Sequence, residues 1–336
     1  MQSTRPPVAG TLKEEVRMNA TVQGAPRREG VTAVHSLDRF VFSVPDLDVA
    51  ERFYTQFGLD ARRDGDRLDL HTFGHPHRWG SVFKGTGPKK LQYLSFGVYP
   101  QDLEPLTRQL DRQQFARSSA HPLADREGIW LRDPDGTAVQ LVVADKVSPA
   151  APSPQAKAPV HPSGQGAAPS RSAAAKVRPR RLSHVLLFSS DVLRSVRFYT
   201  DALGLRLSDH SADIIAFMHG AHASDHHMLA FAKSAGAGYH HSSWQVDSID
   251  EVGIGMDTMI GHGHARGWGV GRHVIGSNYF AYVQDPWGSF AEYSYDIDFI
   301  PAEVEWPAGD HATADSFYVW GPPPPDYFIV NHEVAA

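Results

Sequence analysis

The sequence contains no cysteine, which excludes disulfides, thiolate catalysis and sulfur-ligated metals, so any metal must be held by nitrogen and oxygen. It has no excess of positive charge. Thirty-two basic and 38 acidic residues are mixed along the chain, giving a net charge of −6 and no basic stripe that would attract phosphate backbones or anionic lipid. No apolar run approaches the roughly 20 residues of a bilayer span, and the first 30 residues lack the apolar core of a secretion signal. Neither nucleic acid nor membrane is expected as a partner, and the cytoplasm is the expected location. What the chain has in quantity is histidine: 19 residues, enough to supply nitrogen ligands and enough to make chance clusters common.

At 336 residues, with 41% hydrophobic and 10% aromatic content, the chain can fill two ordinary cores. Residues 1–30 are polar and rich in Pro, Gly and Arg, which reads as a disordered leader, with Met18 as an alternative start. Residues 146–179 are dominated by Ala, Pro, Ser and Gly and read as a linker that buries too little apolar surface to order itself. Between and after these lie two halves, 31–145 and 180–298, followed by a tail, 299–336.

The halves resemble each other, and such internal similarity decides the architecture. RFVFSVPDLDVAERFYTQFGL (39–59) is a short apolar strand, a turn and an amphipathic helix closed by Gly58. HVLLFSSDVLRSVRFYTDALGL (184–205) repeats that order and closes at Gly204, the residue type that accepts a left-handed C-cap. The ends also match, WLRDPDGTAVQL (130–141) against YVQDPWGSFAEY (282–293), each with an Asp-Pro-x-Gly turn joining two strands. Further strand-like runs, KLQYLSFGV (90–98) and YHHSSWQV (239–246), each precede a helix-like segment. Each half is therefore read as two modules of a strand, a helix and further strands.

In the second half His184 opens the first strand, His241 lies in the strand that opens the second module, and Glu292 lies in the last strand. No local motif joins them, so only a fold that brings opening and closing strands onto one sheet face could assemble them. Two neutral imidazoles and one carboxylate on one face leave other coordination positions free, an arrangement suited to nonhaem iron(II).

At these residues the sequence resembles the vicinal oxygen chelate superfamily and, within it, the two-domain extradiol ring-cleaving dioxygenases, over roughly residues 36–144 and 181–298. The resemblance implies an α+β fold of two tandem domains, each of paired βαβββ modules forming a partly open barrel. It carries the family's metal ligands onto His184, His241 and Glu292. DHHMLAF (225–231) resembles the family's strand whose second histidine, here His227, lies at the oxygen side as an acid–base group. GRHVIGSNYFAYVQDPWGSFAEY (271–293) resembles its closing signature, placing His273 and Tyr282 as hydrogen-bonding groups toward the substrate oxygens. The implied cofactor is Fe(II), although the same ligands accept Mn(II). The implied partners are a catechol-type substrate and O2, with assembly into a homo-oligomer.

The positions in the first half that match the ligands read Arg39, Tyr93 and Gln140, so that domain is expected to be metal-free, with His35, His71, His75 and His77 outside the matching positions. His226, His240, His262 and His264 are expected to be bystanders. The tail, with Trp306, Phe317, Tyr318, Trp320, Tyr327 and Phe328, is too aromatic for a free terminus and is expected to pack on the C-terminal domain, with surface or oligomer packing slightly favoured over covering the site mouth. Two other functions remain on this scaffold: a glyoxalase or epimerase using Zn, Ni or Co, and a non-catalytic resistance-type protein that binds an aromatic compound.

Overall fold

The computed structural model describes residues 27–154 and 161–334. Met18, most of the expected leader and the centre of the expected linker lie outside the described residues. The N-terminal half runs β1 (Ser36–Val44), α1 (Leu47–Phe57), β2 (Asp60–Asp64), β3 (Arg67–His71), β4 (Gly80–Lys84), β5 (Lys90–Val98), α2 (Pro100–Arg112), β6 (Ile129–Arg132) and β7 (Ala138–Val143). The C-terminal half runs β8 (Arg181–Ser189), α3 (Val192–Leu203), β9 (Arg206–Ser211), β10 (Ile215–His219), β11 (Ser224–Asp225), β12 (Leu229–Lys233), β13 (Gly238–Gln245), α4 (Ile249–Gly261), β14 (Gly267–His273), β15 (Tyr279–Gln284) and β16 (Phe290–Tyr295). Three short strands of the tail complete it: β17 (Phe299–Ile300), β18 (Gly309–Asp310) and β19 (Tyr318–Trp320).

Each half forms one large mixed sheet with the same central pattern, and β11 pairs with β17 in a separate two-stranded sheet. The first is ordered β2-β3-β4-β1-β5-β7-β6, and the second β18-β9-β10-β12-β8-β13-β16-β15-β14-β19. In both, the two module-opening strands pair antiparallel at the centre, β1 with β5 and β8 with β13, and each is flanked by a parallel partner from its own module. The fold is therefore the paired-module α+β architecture that the sequence implies, with one difference. The second N-terminal module has two strands after its helix, because residues 113–128, carrying Pro122 and Gly128, have no alternating apolar pattern and form no strand.

The helices form where caps and periodicity dictate. Asp46 accepts from the amides of Asp48 and Val49 at the start of α1, and Asp191 accepts from Arg194 at the start of α3. Both helices end on glycine in the left-handed region, Gly58 at φ 104° and Gly204 at φ 74°. A second constraint acts at both sites: a Cβ at Gly58 would lie 2.4 Å from the Val177 carbonyl oxygen, and one at Gly204 would lie 2.6 Å from the Ala33 Cβ. Each helix end is thus pressed against the segment that leads into the opposite half.

The ends of those segments that adjoin the halves are packed, while residues 161–173 are exposed. Arg27 pairs with the buried Asp102, Ser36 Oγ accepts from the amides of Val147 and Ser148, and Val177 is buried in the core. One continuous apolar cluster spans both halves, and the Phe57 and Tyr293 rings stack across it at 3.9 Å while Tyr293 donates to the Phe57 carbonyl. Lys89 of the first half and Asp285 of the second form a buried ion pair, with the ammonium also lying 4.3 Å from the Phe42 ring centre and 4.5 Å from that of Tyr239. Among the described residues, no helix is long and apolar enough to cross a membrane.

Breaking a buried pair by removing one partner strands the other charge. Lys89→Ala is expected to lower the free energy of unfolding by about 3–5 kcal/mol, measured by urea denaturation, whereas a change below about 1 kcal/mol, the scale of an exposed pair, would show that the pair does not tie the halves together.

Candidate metal centre

Strand register brings the distant ligands together. His184 on β8 stands opposite Ser243 on β13, Ser243 stands opposite Glu292 on β16, and Glu292 stands opposite Tyr282 on β15. The four residues form one row across four adjacent strands. His241 sits two residues before Ser243 on β13, and alternation places positions two apart on the same face.

The three donor atoms converge. His184 Nε2 and His241 Nε2 are 3.2 Å apart, and Glu292 Oε2 lies 3.3 Å from the first and 3.5 Å from the second. All three residues are buried, and Glu292 Oε2 has no hydrogen-bond partner, while Oε1 accepts from Asn278 at 3.1 Å. A buried carboxylate oxygen left without a donor is costly unless a cation completes it. The triangle also approximates three neighbouring vertices of an octahedron, which stand ~3 Å apart for metal–ligand bonds of ~2.1 Å. The site thus fits a divalent metal held on one face, with the donor set of a two-histidine, one-carboxylate centre.

The matching row in the first half is Arg39, Ser95, Gln140 and Trp130, in the same register, with Tyr93 two residues before Ser95. Here the buried Arg39 guanidinium donates to the Tyr93 hydroxyl at 3.2 Å and to Asp125 at 2.8 Å, and Ser95 donates to Gln140. A fixed side-chain cation occupies the row, and Arg39 and Arg78 hold the Asp125 carboxyl well below its usual range despite burial.

His227, His273 and Tyr282 line the same cavity of about 280 Å³ as His184 and His241. DHHMLAF is not one strand: β11 ends at Asp225 and β12 begins at Leu229, so His226 and His227 lie in the connection. The His184 and His227 ring centres are 4.1 Å apart. Burial first, then the neighbouring rings of His184, His226, His241 and His273, push the His227 pKa well below the usual imidazole range. His273 Nε2 and the Tyr282 hydroxyl are 2.9 Å apart, and His273 Nδ1 lies 2.9 Å from the Phe317 carbonyl. Because a carbonyl only accepts, neutral His273 carries its proton on Nδ1, and Tyr282 donates to Nε2. Burial and the adjacent Glu292 carboxylate push the Tyr282 pKa well above its usual value, so the phenol keeps its proton.

Two residues read as bystanders are joined to the site. A register shift on β13 between Tyr239 and His241 interrupts the alternation that would point His240 away. His240 Nδ1 instead lies 2.6 Å from His241 Nδ1, and its Nε2 lies 2.7 Å from the Phe328 carbonyl. The carbonyl fixes the proton of neutral His240 on Nε2, so His241 donates from Nδ1 and presents a bare Nε2 to the metal position. His226 contacts His227 in a similar way, its Nδ1 at 3.0 Å. His264 bonds Gln56 on α1, away from the cavity, and His262 follows α4.

The tail packs on the C-terminal domain as expected, but at the cavity rather than on the outer surface that was slightly favoured. Phe317, Phe328 and Ile329 line the cavity, and Phe328 is buried among Trp268, Phe280, Tyr282 and Phe290. A doubled histidine and an aromatic tail were the available signals, but neither reveals a bulge or a carbonyl contact.

Over residues 181–293 the sequence matches the family described as "Glyoxalase/Bleomycin resistance protein/Dioxygenase superfamily". It is 48% identical over 314 residues to metapyrocatechase 2 of Cupriavidus necator, which covers 92% of this chain and 96% of that protein. A homoprotocatechuate 2,3-dioxygenase variant from Brevibacterium fuscum superposes with a TM-score of 0.70 at 18% identity, covering 91% of this chain and 82% of that one. The Mn(II)-bound glyoxalase from Novosphingobium aromaticivorans superposes with a TM-score of 0.67 at 21% identity, covering 87% and 92%. The two solved structures establish the fold alone, whose paired modules and facial donor set define a metal-chelating class. The extent and identity of the first match narrow that class: the chain belongs to the two-domain extradiol ring-cleaving dioxygenases of this superfamily.

Replacing His240 with Ala removes the acceptor that orients His241. Apparent iron(II) affinity is expected to fall by about 10- to 100-fold in anaerobic competition titrations with a chelator, while Glu292→Gln, which removes a ligand charge, abolishes stoichiometric binding. Unchanged affinity in both variants would place the metal elsewhere.

Proposed function

We propose that the chain is an iron(II)-dependent dioxygenase that opens the ring of a catechol-type diol beside its vicinal hydroxyls and incorporates both atoms of O2. The observation that carries this reading is that His227, His273 and Tyr282 line the cavity onto which the two metal-ligating imidazoles open. A glyoxalase-type reaction on the same scaffold has no need of that set. The name of the 48% identical relative, metapyrocatechase 2, agrees with a catechol substrate.

His184, His241 and Glu292 would hold iron(II), which would supply coordination for a chelating diol and for dioxygen. The chain does the rest. Leu186, Phe188, Ile215, Phe217, Phe317 and Phe328 wall the cavity, exclude water and offer flat apolar surface to an aromatic ring. His227, held neutral by burial, is a base that can take a hydroxyl proton and return it later in the turnover. Tyr282 and His273 form a preorganised donor–acceptor pair whose hydroxyl can turn toward oxygen charge as it develops on the substrate.

The test is anaerobic loading with iron(II), followed by oxygen uptake and formation of a yellow product over a panel of monocyclic, bicyclic and carboxylated catechols. The expected result is one O2 consumed per catechol, with both atoms of labelled dioxygen in the product. His227→Gln is expected to lower kcat by about 10²- to 10⁴-fold with iron content retained. No uptake with any catechol removes the reading, and full turnover by His227→Gln removes the acid–base role.

A further inference from the structure

The cavity wall behind His227 holds a second array of polar groups that the proposed chemistry does not itself require. Asp209, on β9, is buried, and its carboxylate collects four N–H groups. His226 Nε2 at 2.7 Å and Trp306 Nε1 at 3.2 Å lie on Oδ2, and the Gly309 amide at 2.8 Å and His311 Nε2 at 3.0 Å lie on Oδ1. Three of the four come from the tail. Burial opposes ionisation of Asp209, but the bonds from His226, Gly309 and His311 outweigh it and bring its pKa down to about 2. The carboxylate is therefore ionised at neutral pH and can only accept.

That fact, taken with a neutral His226, determines the protons of two rings. His226 is fully buried and must donate to Asp209 from Nε2. A neutral imidazole has a single N–H, so His226 Nδ1 is bare and accepts. The atom facing it, at 3.0 Å, is His227 Nδ1, which must then carry the proton. His227 Nε2 is left with a free lone pair, the form that a base requires.

We propose that His226 and Asp209 are positioning residues: through the chain Asp209–His226–His227 they hold the His227 ring in place as the tautomer with a protonated Nδ1 and a bare Nε2 presented to the cavity. The inference rests on the base role proposed for His227. The arrangement follows the logic of a carboxylate that orients a histidine through its far nitrogen, extended by one ring. Trp306, Gly309 and His311 give the tail a chemical role here beyond packing, because they keep Asp209 fixed and ionised.

The direct test reads the ring nitrogens of the wild-type protein. In long-range 1H–15N spectra of the metal-free full-length protein, with His227 assigned by the signals that disappear in His227→Gln, the expected pattern is a protonated Nδ1 and an unprotonated Nε2. The opposite pattern overturns the inference whether or not the protein has activity. In iron-loaded protein, His226→Leu, which has no acceptor, is expected to lose about 10- to 100-fold in kcat with KM for catechol and iron content unchanged. His226→Gln, which keeps an acceptor oxygen for Nδ1–H, is expected to recover most of that loss. Wild-type kcat in His226→Leu, or equal loss in both variants, also overturns it. If the wild-type protein consumes no oxygen with any catechol, the functional reading fails, and the spectrum still decides the tautomer.

Discussion

Two imidazole nitrogens and a carboxylate oxygen, all buried and within 3.2–3.5 Å of one another, with the carboxylate oxygen lacking any donor, set the terms for the rest of the C-terminal domain. Such a triangle brings unshared electron pairs together in a poorly solvated space and is unfavourable without a cation. It persists because each atom is fixed by structure that extends outward. The row His184–Ser243–Glu292 is pinned by strand register, and the His241 ring by a bulge and by His240, which itself holds the Phe328 carbonyl. The backbone of the tail thus reaches the metal position through two bonds, and the His273 contact with the Phe317 carbonyl repeats the device on the substrate side.

The two halves solve the same electrostatic problem differently. Where the C-terminal row leaves donors to share a metal, the N-terminal row contains its own cation, Arg39, fixed by Asp125 and the Tyr93 hydroxyl. Asp125 comes from the irregular stretch after α2, which stands where the other modules have a further strand, so the segment that forms no strand also supplies the carboxylate that fixes Arg39. The first half then serves as a packing partner, contributing Phe57, Lys89 and the Phe57 carbonyl to the joint core.

Much of this was legible in the sequence, for physical reasons. Glycine C-caps and Asp-Pro-x-Gly turns are local signals, and with the repeated strand–helix order they pointed to paired modules; the matched positions Arg39, Tyr93 and Gln140 lie in the same register as the ligands. The convergence of His184, His241 and Glu292 followed because opening and closing strands share one sheet face. His226 and His240 read as bystanders because strand alternation assigns neighbouring residues to opposite faces, yet their rings contact His227 and His241, and nothing in YHH or DHH announces a register shift or a break between strands. The tail's contribution was invisible for a similar reason: it acts largely through carbonyl oxygens and amides, which every sequence possesses. Asp209 shows no signal at all until the tail folds over it.

The chain therefore reads as a repeated fold in which one half presents three metal-type donors on one face and the other fills the matching row with Arg39, with the tail and two doubled histidines orienting the site nitrogens. Diffraction from crystals loaded anaerobically with iron(II), recorded at the iron absorption edge, tests this most directly. The account predicts one anomalous peak per chain, within bonding distance of His184 Nε2, His241 Nε2 and a Glu292 carboxylate oxygen. A peak at other residues, or a second one beside Arg39, would contradict it.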